Sequence, residues 1–182
     1  MTAVVQAVEK ASRDATLYNS GCMSFLRFFM LLSLVVWIGG LIFLAFVVAP
    51  MAFTPGLLPS RHLAGTIVGG SLGALHWMGM VAGVVFLITS MIDSRANAGR
   101  THALAGRHLL VALMLLLTLI SQFAISPRMH ALRDQAGVID NQPLDSPLRM
   151  EFNRLHVWSE KFEQAVLLLG LLTIYLTARS LH

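Results

Sequence analysis

The chain reads as an all-α polytopic membrane protein, a four-helix transmembrane bundle preceded by a short N-terminal interfacial helix. Composition is the first ground: of 182 residues 56% are apolar and only 12% are charged, where a soluble domain carries roughly 45–50% and 25%. Mean hydropathy is +0.72. The third ground is segmentation, since four separate apolar stretches each approach the ~20 residues that a tilted helix needs to cross a ~30 Å hydrocarbon core.

Residues 1–24 are the N-terminal segment and 25–178 the four-span domain, with no second domain. Within the segment, Val4, Val5, Val8, Ala11, Ala15 and Tyr18 recur at helical spacing against Glu9, Lys10, Arg13 and Asp14, which suits a helix lying in the interface. A disordered tail is the alternative. "NSGC" at 19–22 resembles a lipoprotein cleavage site, but no apolar stretch precedes it, so lipidation and a cleaved signal peptide are both rejected. Cys22 is the single cysteine and has no partner for an internal disulfide.

The first span is Phe25–Val48, closed by Pro50; the second is Leu72–Ile92; the third is Leu109–Ser126, stopped by Pro127; the fourth is Phe152–Thr177. Basic flanks set the orientation. With the N-terminus inside, Lys10, Arg13, Arg27, Arg95, Arg100, Arg107 and Arg179 are cytoplasmic, and Arg61, Arg128, Arg133, Arg149 and Arg154 face outward. The bias places both termini in the cytoplasm. Small residues four apart mark close helix approach in lipid: Gly69 with Gly73 and Gly79 with Gly83 in the second span. The Gly39–Gly40 pair permits a bend or a tight crossing in the first.

The fourth span opens in "RLHVWSEKFEQ", which is polar for a membrane helix. At ~100° per residue, Phe152, Asn153, His156, Ser159, Glu160 and Glu163 share one sector, while Arg154, Trp158 and Lys161 lie nearly opposite. A carboxylate inside the hydrocarbon region costs on the order of 2.5–3.5 kcal/mol on insertion scales, so the acidic stripe is expected to face protein. In the predicted topology His76 of the second span, in "ALHWMGM", lies in the same outer half, as do Ser121, Gln122 and Ser126 closing the third. Imidazole and the nearby thioethers of Met51, Met78, Met80 and Met129 suit copper, and imidazole suits haem iron or zinc. His76 and His156 are therefore candidate cofactor ligands, with Glu160 and Glu163 as further metal ligands. The competing expectation is a cluster that only bonds helices together. His102 and His108 fall in the inner basic loop and are expected to be solvated.

"LVVWIGGLIFLAFVVAPMAF" and "FNRLHVWSEKFEQ" resemble the transmembrane-protein-205-like family of four-span proteins, long catalogued as a domain of unknown function. Trp37, Gly39, Gly40, Pro50 and Phe53 carry the first motif, and Phe152, His156 and Ser159 carry the second; "SPRMHALR" also fits. One position departs, because a neutral amide is expected where Glu163 stands. The family is similar in layout to copper resistance protein D and to bacterial haem-biosynthesis membrane proteins, so the resemblance implies haem or copper by fold-level analogy alone.

A binding or carrier role for haem or copper, a structural or assembly subunit with a membrane protein partner or a second copy, and a transporter are the remaining classes. Below Glu163 the fourth span offers little beyond Thr173 and Tyr175, so no polar relay crosses it, and an inverted repeat is lacking. No nucleophile–base pair, phosphate loop or HExxH motif is present, and nothing reads as a nucleic-acid motif. The sequence thus predicts a non-enzymatic bundle in the lipid bilayer.

Overall fold

The computed structural model describes residues 2–98 and 106–180, with side chains placed for 21, 23–95 and 106–179. Helix α1 runs Thr2–Phe43, continues through a π-helical turn at Leu44–Val48, and ends in the short α2 at Ala49–Ala52. The helix is thus unbroken from the N-terminal segment into the first span. Next come α3 at Arg61–Ala98, α4 at Gly106–Ile120, a second π turn at Ser121–Ile125, α5 at Ser126–Ala136 and α6 at Pro147–Ser180. Among the described residues there is no strand, and four helical stretches are long and apolar enough to cross a membrane: Met23–Ala52, Arg61–Arg95, Gly106–Ala136 and Pro147–Arg179. His102 lies outside the described residues.

Two expected boundaries are corrected. Pro50 and Pro127 do not stop their helices; each chain continues helically past the ring. A proline lacks the N–H that would close an i→i−4 bond and its ring crowds the carbonyl four residues back. The chain meets both demands by widening the preceding turn. Ala49 N–H reaches Leu44 O and Ser126 N–H reaches Ser121 O, five residues back in each case, which is the π-bulge geometry.

Met30, Leu34, Trp37, Ile38 and Leu41 form one buried stripe of α1 at three- and four-residue steps, and Leu75, Ala82 and Phe86 of α3, Val111 and Met114 of α4 and Val166 of α6 complete the core. Helix α1 packs on α3, α3 on α4 and α4 on α6, and α6 returns to α1. The close approaches are made by glycines. A Cβ at Gly79 or Gly83 would collide with the Trp37 indole, one at Gly40 with Leu75 at 2.5 Å, and one at Gly170 with Ile38. By contrast nothing lies within 4 Å of where a Cβ would stand at Gly39 or Gly73, and Gly69 meets only Arg133 Nη1, at 3.6 Å. The outer belt of Phe28, Val35, Phe46, Val81, Leu109, Leu116 and Leu168 is exposed and apolar, as a lipid-facing surface must be, because hydrocarbon rewards no burial of such groups.

Candidate functional site

The two π turns and their prolines lie at one end of the bundle, and the polar chemistry collects there. The second π turn carries Gln122, which reaches α3, and Ser121, which reaches α6. His76, 2% exposed, has its Nε2 2.7 Å from Glu163 Oε1 and its Nδ1 2.8 Å from Gln122 Oε1. Ser121 Oγ donates to the same Glu163 oxygen at 3.3 Å. Three spans are therefore tied through one imidazole. The Gln122 amide can present either its oxygen or its nitrogen after a half-turn, so it satisfies Nδ1 in either tautomer.

His156 and Glu160 do not enter that cluster. They pair with each other at 3.2 Å, one turn apart on α6, with side chains 54% and 57% exposed. Phe152 stacks on His156 with ring centroids 6.3 Å apart. The polar stripe of α6 thus divides: Glu163 turns into the bundle while His156 and Glu160 border a cavity. On the opposite edge Lys161 lies over the Trp158 ring, 5.3 Å from its centroid.

That cavity, of about 910 Å³, lies among all four spans at the proline end. Its floor is apolar, made by Leu41 and Leu44 of the first span, Val68 and Leu72 of α3 and Leu167 of α6. Its wall includes Pro50, Phe53, Phe152, Ser159 and Gly69, so most of the motif residues singled out in the sequence border it. Its mouth is basic: Arg61 and His62 open α3, Arg133 and His130 lie on α5, and Arg149 begins α6. Arg149 Nη1 donates to the carbonyls of Asp140 at 3.3 Å and Gln142 at 2.6 Å, folding the 137–146 loop onto α6.

His76 has both ring nitrogens engaged by protein groups, which leaves it no free lone pair for a metal in this arrangement. Among the described residues no three His, Cys, Asp or Glu side chains gather at metal-ligand spacing. His156 is the candidate histidine that faces the cavity.

A second polar knot lies at the opposite end of the bundle, where the sequence reading expected only a loop. Asp93, 6% exposed, accepts from Arg27 Nε at 3.2 Å and stands 4.0 Å from Arg107 Nη2, which itself donates to Ser94 at 2.8 Å. His108 is corrected here: it is buried, with Nε2 2.8 Å from Ser90 Oγ. Helix α4 starts at Gly106, so His108 already belongs to the first helical turn and faces α3. An acid at the end of a span needs a partner, but the sequence does not say which residue supplies it.

Fold and site together define a multi-pass integral membrane protein of four spans, with no strand among the described residues and its polar groups gathered at the two ends. The family model described as "Domain of unknown function (DUF4149)" matches residues 32–137 of the 182, from within the first span to the end of the third, and the chain belongs to that family. No curated protein and no solved structure matches the chain.

Proposed function

We propose that this protein is a non-enzymatic, membrane-embedded binding protein whose cavity at the proline end accepts an amphipathic molecule. The single observation that carries this reading is the cavity itself. Its volume of about 910 Å³ falls within the ~300–1,000 Å³ of small-molecule sites, and an apolar floor under a few polar groups is the usual composition of such a site. The His76–Gln122–Glu163–Ser121 cluster serves as the brace that fixes α3, the second π turn and α6 relative to one another beside it. On the N-in, C-in orientation favoured by the basic flanks, the cavity opens toward the outer leaflet. Kinship with the transmembrane-protein-205-like proteins belongs to the same proposal.

A photoactivatable alkyl amphiphile with an uncharged head tests it. The expected result is cross-linking at Leu44, Leu72 and Leu167, abolished when Ala45→Trp fills the space. Labelling confined to lipid-facing residues such as Phe46 and Leu168 would overturn the cavity reading. The haem or copper expectation now concerns His156 rather than His76. An absorption spectrum and metal analysis of gently purified protein decide it: a bound species lost in His156→Ala supports a cofactor, and colourless, metal-free protein after reconstitution removes it.

A further inference from the structure

We propose that the mouth of the cavity is a binding site for the phosphate of an acidic phospholipid, with Arg133 as its chief partner and Arg61 and Arg149 beside it; this rests on the amphiphile reading above and names its ligand class.

The described arginines differ in their partners. Arg27 and Arg107 at the far end of the bundle and Arg128 on α5 each stand within 4.0 Å of a carboxylate. Among the described residues, Arg61, Arg95, Arg133, Arg149, Arg154 and Arg179 form no such pair, and of these Arg61, Arg133 and Arg149 border the cavity mouth. Arg133 is half-buried and held in place without being neutralised. Its guanidinium lies over the Phe152 ring, 5.2 Å from the centroid, and its Nη2 reaches Gly65 O at a long 3.5 Å. Gly65 and Gly69 leave the space it occupies, since a Cβ at those positions would meet its nitrogens at 3.3 and 3.6 Å. A guanidinium carries five donors in a planar fork matched to phosphate oxygens. One long bond leaves most of that fork free.

The acids of the cavity sort differently. Glu163 is tied to His76 and Ser121, and Glu160 to His156. Asp140 shares the mouth with the three guanidiniums, which leaves the mouth net positive. An anion is therefore complementary at the rim and not below it, where the carboxylates lie. Beneath the rim, Leu44, Leu72 and Leu167 offer an apolar path for acyl chains. A charged head above an alkyl tail matches that order of surfaces.

The test uses the full chain in a neutral detergent, with dioleoyl phosphatidate, dioleoyl phosphatidylcholine and inorganic phosphate as probes, read by native mass spectrometry and thermal shift. Phosphatidate should bind and stabilise; phosphatidylcholine should bind more weakly; inorganic phosphate alone should do neither. Arg133→Gln should weaken phosphatidate binding about tenfold or more, the scale of a hydrogen-bonded charge partner. Arg61→Gln, at an exposed position, should weaken it less, and Lys161→Gln on the opposite edge should leave it unchanged. Should Arg133→Gln fail to fold, Arg61→Gln decides. Unchanged phosphatidate binding in the arginine variants, or equal binding of phosphatidylcholine, overturns the head-group site while leaving the alkyl cross-links at Leu72 and Leu167 intact. Stabilisation by inorganic phosphate alone would make it a free-anion site and overturn the lipid assignment.

Discussion

Replacing Gly79 with alanine adds one methyl group where the second span packs against Trp37 of the first. The new Cβ would stand 2.7 Å from Trp37 Cε2 and 2.8 Å from Trp37 Cδ1, against the ~3.5–4.0 Å at which carbon pairs attract. Trp37 has no retreat, since it is 2% exposed and its ring also covers Gly83, where a Cβ would lie 2.7 Å from Trp37 Cζ3. The indole must tilt or the two helices must separate. Overpacking of this kind costs about 1–3 kcal/mol, and at ~2–4 °C per kcal/mol for a chain of this size the melting temperature in detergent should fall by roughly 2–12 °C. Gly73→Ala is the matched control, because nothing lies within 4 Å of its Cβ position and the helix gains up to ~1 kcal/mol of propensity. It should melt at or above the wild type. Trp37→Phe in the Gly79→Ala background should recover part of the loss, a coupling that a double-mutant cycle measures. If Gly79→Ala melts no lower than Gly73→Ala, the close contact of α1 with α3 is not where the structure puts it.

Three further outcomes are expected. Glu163→Ala removes the acceptor for both His76 and Ser121 and should destabilise the bundle by roughly 1–3 kcal/mol, whereas Glu163→Gln retains an acceptor and should melt in between; equal melting of all three proteins would deny the cluster a bracing role. Asp93→Ala takes away the carboxylate shared by Arg27 and Arg107 and should lower the melting temperature more than Glu160→Ala, whose pair with His156 is over half exposed and is worth at most ~1 kcal/mol; the reverse order would refute the assignment. In a Cys22→Ser background, a cysteine at Asn141 should react with an impermeant thiol reagent from outside intact cells, and reaction at Asn97 instead would invert the proposed orientation.

Composition and spacing were sufficient for the architecture. Helix–membrane compatibility is a local property: a stretch such as Phe25–Val48 must satisfy its own backbone groups wherever it sits, so only helices can span and their number can be read along the chain. Glycine spacing is local too, yet it does not say which face meets a neighbour. Gly79 and Gly83 lie under Trp37 while a Cβ at Gly73, on the same helix, would meet nothing within 4 Å, because helix rotation is settled by packing between spans. The prolines show the same limit. Pro50 and Pro127 announce a backbone conflict, but neighbouring helices let each chain widen by a π turn and continue.

The polar groups needed the tertiary structure most. A helical wheel put His156, Glu160 and Glu163 in one sector, and its resolution is too coarse to say that Glu163 reaches His76 at 2.7 Å while His156 stays 54% exposed. Residues 76, 122 and 163 belong to three different spans, and no periodicity links them. The Arg27–Asp93–Arg107 knot was hidden for the same reason, as its members are sixty-six and fourteen positions from the shared acid. An imidazole, an amide and a carboxylate can be named from sequence as costly in lipid; which of them neutralise one another, and which guanidiniums are left facing a cavity, depends on distances of about 3 Å that only the packed bundle sets.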